Sequence, residues 1–179
     1  MAADPTDRQE TPRARGHDGP YAAPLRAPAR AVPEEWIDYN GHMNVAYYAI
    51  AFDQAVDHFI EEELGLGESY AATHRQGPYV LQSTICYLGE LLEGDAFTVE
   101  AQLVDCDAKR VHLMMEMRNA AGGRAATSEQ LIMNVDLEAR RGAPFPDWAQ
   151  TRLARMLADH SALPRAAEMG QRIGIRRKG

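Results

Sequence analysis

Apolar and polar positions alternate with two different periods along this chain, and the switch between them predicts its elements. From about Val45 to Leu64, Tyr48, Phe52, Val56, Phe59 and Ile60 recur at helical spacing, with Asp53, Gln54, Asp57, Glu61 and Glu62 on the other face. Asn44 suits the N-cap of that helix and Gly65 its C-terminal stop. After Gly77-Pro78 the pattern becomes that of strands. Tyr79 to Tyr87 is a nearly continuous apolar and β-branched run, and Phe97 to Leu103 alternates cleanly. Val111, Leu113, Met115 and Met117 alternate with His112, Glu116 and Arg118, and Ala125 to Leu137 forms a long last strand. Gly94-Asp95, the polar stretch Asp105 to Lys109 and Gly122-Gly123 supply the turns between them. Leu25 to Val32 fits a short first strand, confined to an edge by Pro28 and Pro33. Trp148 to Ala158 fits a short surface helix.

The order strand, helix, antiparallel meander predicts an α+β architecture, one long helix against one curved antiparallel sheet. A single sheet of this size leaves an edge, and edges invite pairing with a second copy. Residues 1–23 are rich in Pro, Arg, Asp and Gly, with too few large apolar residues to offset their ordering entropy, so they are expected to form a disordered tail. The folded domain is expected over 24–145, followed by a C-terminal helix and basic tail over 146–179.

Composition narrows the function. A net charge of -7 argues against nucleic-acid binding, which uses a basic surface. No apolar run is long enough to span a bilayer, and the first residues lack the apolar core of a secretory signal. A cytoplasmic protein is expected, with Cys86 and Cys106 as reduced thiols in apolar strand contexts; two isolated cysteines make no zinc motif.

The densest chemistry lies in Trp36-Ile37-Asp38-Tyr39-Asn40-Gly41-His42-Met43-Asn44, immediately before the helix. A carboxylate there sits beside free backbone N–H groups and the positive end of the helix dipole. Such a place can hold a developing oxyanion while an acid attacks a carbonyl or directs a water. Asp38 also suits a simple turn, His42 a ring bonded to the loop backbone, Asn44 a cap, and Gly41 a backbone shape that a Cβ would hinder.

The pattern Asp38-x-x-Gly41-His42-Met43-Asn44, followed by Tyr47, Tyr48 and Phe52 in the helix, resembles the hot-dog fold thioesterases of the 4-hydroxybenzoyl-CoA thioesterase type. The resemblance covers about Ala31 to Leu137 and includes the order of elements. The family usually carries a second Asn after the one matching Asn44; here that residue is Val45. The phrase from Glu35 to Asn44 looks most like a subgroup associated with carnitine breakdown, for which the implied substrate is betainyl-CoA.

The resemblance implies hydrolysis of a small acyl-CoA thioester without metal or cofactor, in a homodimer or homotetramer. It implies Asp38 as the catalytic carboxylate, with His42 as a second candidate and a backbone N–H at Gly77 polarising the carbonyl. Gly41, Asn44, Trp36, Tyr39, Tyr47 and Tyr48 become candidate substrate contacts, joined by Tyr79 and Tyr87 on the next strand. A trimethylammonium group cannot accept or donate a hydrogen bond, so aromatic faces and carboxylates must hold it. Coenzyme A is anionic, and Lys109-Arg110 and Arg140-Arg141 are the evident local cations. Other hot-dog thioesterases place the acid on the helix, which makes Asp53, Asp57, Glu61 and Glu62 the rivals of Asp38. Other classes also fit: a thioesterase for aromatic or medium-chain acyl groups, an enoyl-CoA hydratase pairing Asp38 with His42, and a non-enzymatic acyl-CoA-binding protein.

Overall fold

The computed structural model describes residues 15–175. Helix α1 spans Val45–His58 and runs directly into a π-helical turn over Phe59–Leu64. Gly65 ends it in the left-handed conformation at φ 68°, and Asn44 caps its start by accepting from the Ala46 amide over 2.9 Å. The single helix expected from periodicity is therefore continuous but changes winding after His58.

Four long strands follow: β3 (Gln76–Tyr87), β4 (Ala96–Cys106), β5 (Arg110–Asn119) and β6 (Arg124–Asp136). With β1 (Leu25–Arg26), β2 (Arg30–Ala31) and β7 (Arg141–Gly142) they form one antiparallel sheet, ordered β1-β4-β5-β6-β3. Strand β2 also pairs with β4, and β7 with β6. The first strand expected over Leu25 to Val32 is thus two short pieces on either side of Pro28, which has no N–H to give the ladder. The last strand in the order, β3, pairs on one side only.

The register fixes which residues face the helix. Phe97, Val99, Ala101 and Leu103 of β4 pair with Asn119, Met117, Met115 and Leu113 of β5. Those apolar residues and Val111 join Tyr48, Ala51, Phe52, Ala55 and Val56 of α1 in one buried core. This is the expected hot-dog arrangement, a long helix held in the hollow of a curved sheet.

Three segments depart from expectation. Helix α2 (Glu68–His74) was not signalled by periodicity; it buries Tyr70, whose hydroxyl donates to Gln76 over 2.5 Å. Helix α3 (Asp147–His160) is longer and less superficial than expected, with Ala149, Leu153, Met156 and His160 buried. The tail expected through residue 23 packs from residue 15 onward. Tyr21 is buried and its amide donates to Asp159 over 2.9 Å, while the rest of that tail, residues 1–14, lies outside the described residues. After α3 the chain straps the outer face of the sheet: Gln102 donates to the Leu163 carbonyl over 3.4 Å, Arg124 pairs with Glu168, and the Gly170 amide donates to Glu129 over 2.7 Å. No helix among the described residues is long and apolar enough to cross a membrane.

His160 joins three of these parts. Its Nδ1 accepts from the Leu103 amide over 2.9 Å, so the proton sits on Nε2, which donates to the Ala22 carbonyl over 2.8 Å. Burial holds the ring below its ordinary value of 6.5, against the Ala22 carbonyl and Asp159, which favour the charged form. The unfolded chain therefore takes up a proton that the folded chain resists. The stability from this site is complete above pH 6.5 and falls as the pH drops below that value. Melting temperatures measured from pH 8 to pH 5 should show this decline, and His160→Gln, which keeps one acceptor and one donor, should flatten it.

Candidate active site

The segment before α1 is a closed loop. Ile37 and Met43 form an isolated antiparallel bridge. The Asn44 amide donates to the Trp36 carbonyl and the Met43 amide to the Leu91 carbonyl, each over 2.8 Å. Inside it the Asp38 amide donates to His42 O over 3.0 Å, and the Gly41 amide to Asp38 O over 2.9 Å. Gly41 adopts φ 83°, and an added Cβ would meet nothing within 4 Å. The glycine is needed here for its backbone conformation, not for space.

These bonds present Asp38 at the entrance to the helix. Its Oδ1 accepts from the Asn40 amide over 2.8 Å, so Asp38 does form the turn expected of an Asp in this position. Its Oδ2 has no hydrogen bond or ion pair among the described residues. The side chain is half-buried. A fixed carboxylate with one free oxygen can attack a carbonyl carbon or take a proton from water. The His42 ring bonds the loop: Nδ1 donates to the Met43 carbonyl over 3.2 Å.

The other candidates separate into groups. Trp36 stacks on Tyr47 at 5.1 Å, and the Arg30 guanidinium also lies over the indole, 5.2 Å from its centroid. Both are occupied by the protein itself. Tyr48 is buried, donates to the Gly89 carbonyl over 3.3 Å, and meets Tyr87 edge-on at 5.3 Å. Tyr39, at the loop tip, is 96% exposed, and Tyr79 and Tyr87 are half-exposed.

Gly77 and the two cations lie at the far end of the sheet. Tyr87 reaches the start of α1 through its hydroxyl, 3.5 Å from the Val45 carbonyl, and Gly77 is ten residues away along β3. At the rise of an extended strand that is roughly 33 Å. The Lys109 carbonyl accepts from Asn134, which pairs with Pro78, so the Lys109-Arg110 turn shares the Gly77 end. Arg110 is bound by Asp107 through two contacts of 2.8 and 2.5 Å, which holds the Asp107 carboxyl down at about 2. Within one subunit, then, the structure does not bring Asp38 together with Gly77, Lys109 or Arg110.

Residues 32–153 match the model of the thioesterase-like superfamily. The chain belongs to that family. Its class of chemistry is thioester hydrolysis. It is 32% identical over 142 residues to a betainyl-CoA thioesterase of Pseudomonas aeruginosa, covering 79% of this chain and 89% of that one. It is 31% identical over 158 residues to an L-carnitine dehydrogenase/betainyl-CoA thioesterase of Rhizobium meliloti, covering 87% of this chain but 31% of that longer protein. Among solved structures, a hypothetical protein from Staphylococcus aureus in complex with CoA superposes with a TM-score of 0.81 at 29% identity, over 86% of this chain and 96% of that one. A putative thioesterase from Pseudomonas putida KT2440 gives 0.74 at 28% identity, over 88% and 100% of the two chains.

The loop geometry makes a direct prediction. Gly41→Ala should destabilise the protein by about 1 kcal/mol, the cost of a left-handed conformation for an L residue. Gly41→Asn should cost less, because Asn tolerates that conformation. Chemical denaturation of the three proteins measures both.

Proposed function

We propose that this protein hydrolyses betainyl-CoA to betaine and coenzyme A, with Asp38 as its catalytic carboxylate. The observation that carries this reading is the free Oδ2 of Asp38, held at the mouth of α1 in a chain whose curated relatives are named betainyl-CoA thioesterases. In the reaction one water is consumed: its oxygen adds to the acyl carbon, the thioester C–S bond breaks, the leaving sulfur takes one of its protons, and the other is released as betaine forms its carboxylate. The amides at the start of α1 and the helix dipole favour the negative charge that develops on the carbonyl oxygen. The cation of the acyl group is met by exposed ring faces, Tyr39 at the loop tip and Tyr87 beside the start of α1, each worth about 0.5–2 kcal/mol; Tyr79, opposite Met133, lies on the other face of the sheet. Trp36 and Tyr47 support the loop instead. His42 holds the loop in shape, and Asn44 caps the helix.

The active unit in this reading is a homodimer paired through β3. That edge is unpaired and carries exposed Tyr79, Val80, Leu81 and Tyr87, with Leu88 just beyond it and Val45 and Ile50 exposed on α1. A two-fold antiparallel pairing of one strand with its copy sets the beginning of each against the end of the other. Gly77 and Lys109 of one subunit then approach the Asp38 loop of its partner, which accounts for their separation within one chain. The free thiols Cys86 and Cys106 suit a cytoplasmic location.

Asp38→Asn keeps the bond from the Asn40 amide and removes the charge. Turnover should fall at least ~100-fold, with the melting temperature nearly unchanged. The substrate is tested by comparing betainyl-CoA with tert-butylacetyl-CoA, its uncharged isostere, using thiol release. Betainyl-CoA should be cleaved more efficiently; equal efficiency would leave the thioesterase reading and remove the cation site. Leu81→Glu places a charge on the proposed seam. Light scattering should then report a monomer, and activity should be lost with the dimer.

A further inference from the structure

Gln130 is 6% exposed, yet its amide is only half satisfied. Nε2 donates to Ser128 Oγ over 3.3 Å, while Oε1 is buried without a partner among the described residues. An unmatched buried acceptor costs stability, and each one calls for an explanation.

The register says where this group points. Gln130 pairs with Leu113 of β5 on one side and with Ser83 of β3 on the other. Directly opposed residues lie on the same face of a sheet, and Leu113 belongs to the row that packs against α1. Gln130 therefore faces the hollow that holds the helix. Ser128, opposite Met115, lies in the same row. On β4 and β5 the inner row is apolar through Phe97, Val99, Ala101, Leu103, Val111, Leu113, Met115 and Met117, with Asn119 only at its end. On β6 and β3 it also holds polar side chains, Ser128, Gln130 and Ser83, among Ala126, Ile132 and Ile85. These polar residues lie on the two strands beside the free edge, where the proposed site forms.

Packing alone does not account for these residues, since apolar side chains of the same volume would fill the space without an unmatched acceptor. Gln130 stands four residues along β6 from Ala126, which pairs with Tyr87 beside the start of α1. Four strand residues span about 13 Å. That length separates Gln130 from the strand position beside the start of α1, the helix that the Asp38 loop enters. We infer that Gln130, oriented by Ser128, meets the acyl end of the substrate and selects its trimethylammonium group through the free carbonyl oxygen. An amide oxygen attracts the positively polarised methyl groups and, being neutral, adds no buried charge that needs a partner. The Ser128 hydroxyl both donates and accepts, so it anchors whichever amide rotamer turns the oxygen to the cation.

This inference rests on the betainyl-CoA reading, and one experiment separates the two. The kcat/KM values for betainyl-CoA and tert-butylacetyl-CoA are measured for the wild-type protein, Gln130→Leu and Gln130→Met, together with melting temperatures and dimer mass. The wild-type preference for betainyl-CoA should fall about tenfold in both variants, as for loss of one favourable polar contact. The melting temperature should hold or rise, because an unmatched acceptor has been removed. An unchanged preference in both variants overturns the role of Gln130 and leaves the betainyl-CoA reading intact. Equal losses on both substrates, with a lower melting temperature or a broken dimer, assign Gln130 to structure and overturn it as well. A wild-type protein with no preference overturns both.

Discussion

The packing of α1 against the inner rows of β4 and β5 is the contact on which the other features rest. Met115, Met117 and Phe52 are completely buried, and Leu103, Val99 and Ala51 nearly so. Burying side chains of this size stabilises a fold by roughly 1.5–3 kcal/mol each. The helix can lie in the hollow only if the sheet curves round it, and a curved sheet that stays open ends in an edge. Here one edge is covered by the two-residue strands β1 and β2, and the long edge opposite is β3. Its exposed Tyr79, Val80 and Leu81 are the counterpart of the buried rows on the strands further in.

The same packing places the carboxylate. With α1 fixed, its first turn is fixed, and the loop before it is closed by the Ile37–Met43 bridge and the bonds of Asn44 and Met43 to Trp36 and Leu91. The Trp36–Tyr47 stack and the Arg30 guanidinium secure it from the side. Asp38 is held in consequence: one oxygen completes the turn, and the other has no partner among the described residues. In the proposed reaction, a side chain positioned by its own hydrogen bond needs no separate ordering when substrate arrives, which favours the transition state.

Helix α3 and the segments on either side of the domain add a second layer. His160 ties the Leu103 amide to the Ala22 carbonyl, and Arg124, Glu168 and Glu129 hold the final strap to the outer face. Met114 points outward from β5 and is buried all the same, beneath this strap. The outer face of the sheet is therefore partly a packed surface.

The sequence by itself determined the helix, its cap and stop, the four long strands and the family, because each depends on short-range periodicity or on adjacent residues. Asn44, Gly65 and the turn from Asp38 to His42 are local in this sense, while the bond from the Met43 amide to the Leu91 carbonyl anchors the loop from far along the chain. The two-residue strands round Pro28, helix α2 and the packed segment at Tyr21 were not legible, because distant partners stabilise them; Tyr21 is held by Asp159, for example. The aromatic residues show the same divide. Composition offered six rings near the motif, and only tertiary contacts decided that Trp36 and Tyr47 cover each other while Tyr39 stays free. Gln130 was least legible of all. In β6 the alternating set Ala126, Ser128, Gln130 looks like the solvent side of a strand, since polarity usually marks the outer face. Only its pairing with Leu113 turned that row inward. Which face of a strand is buried depends on its neighbours' register, a relation between residues far apart in the chain.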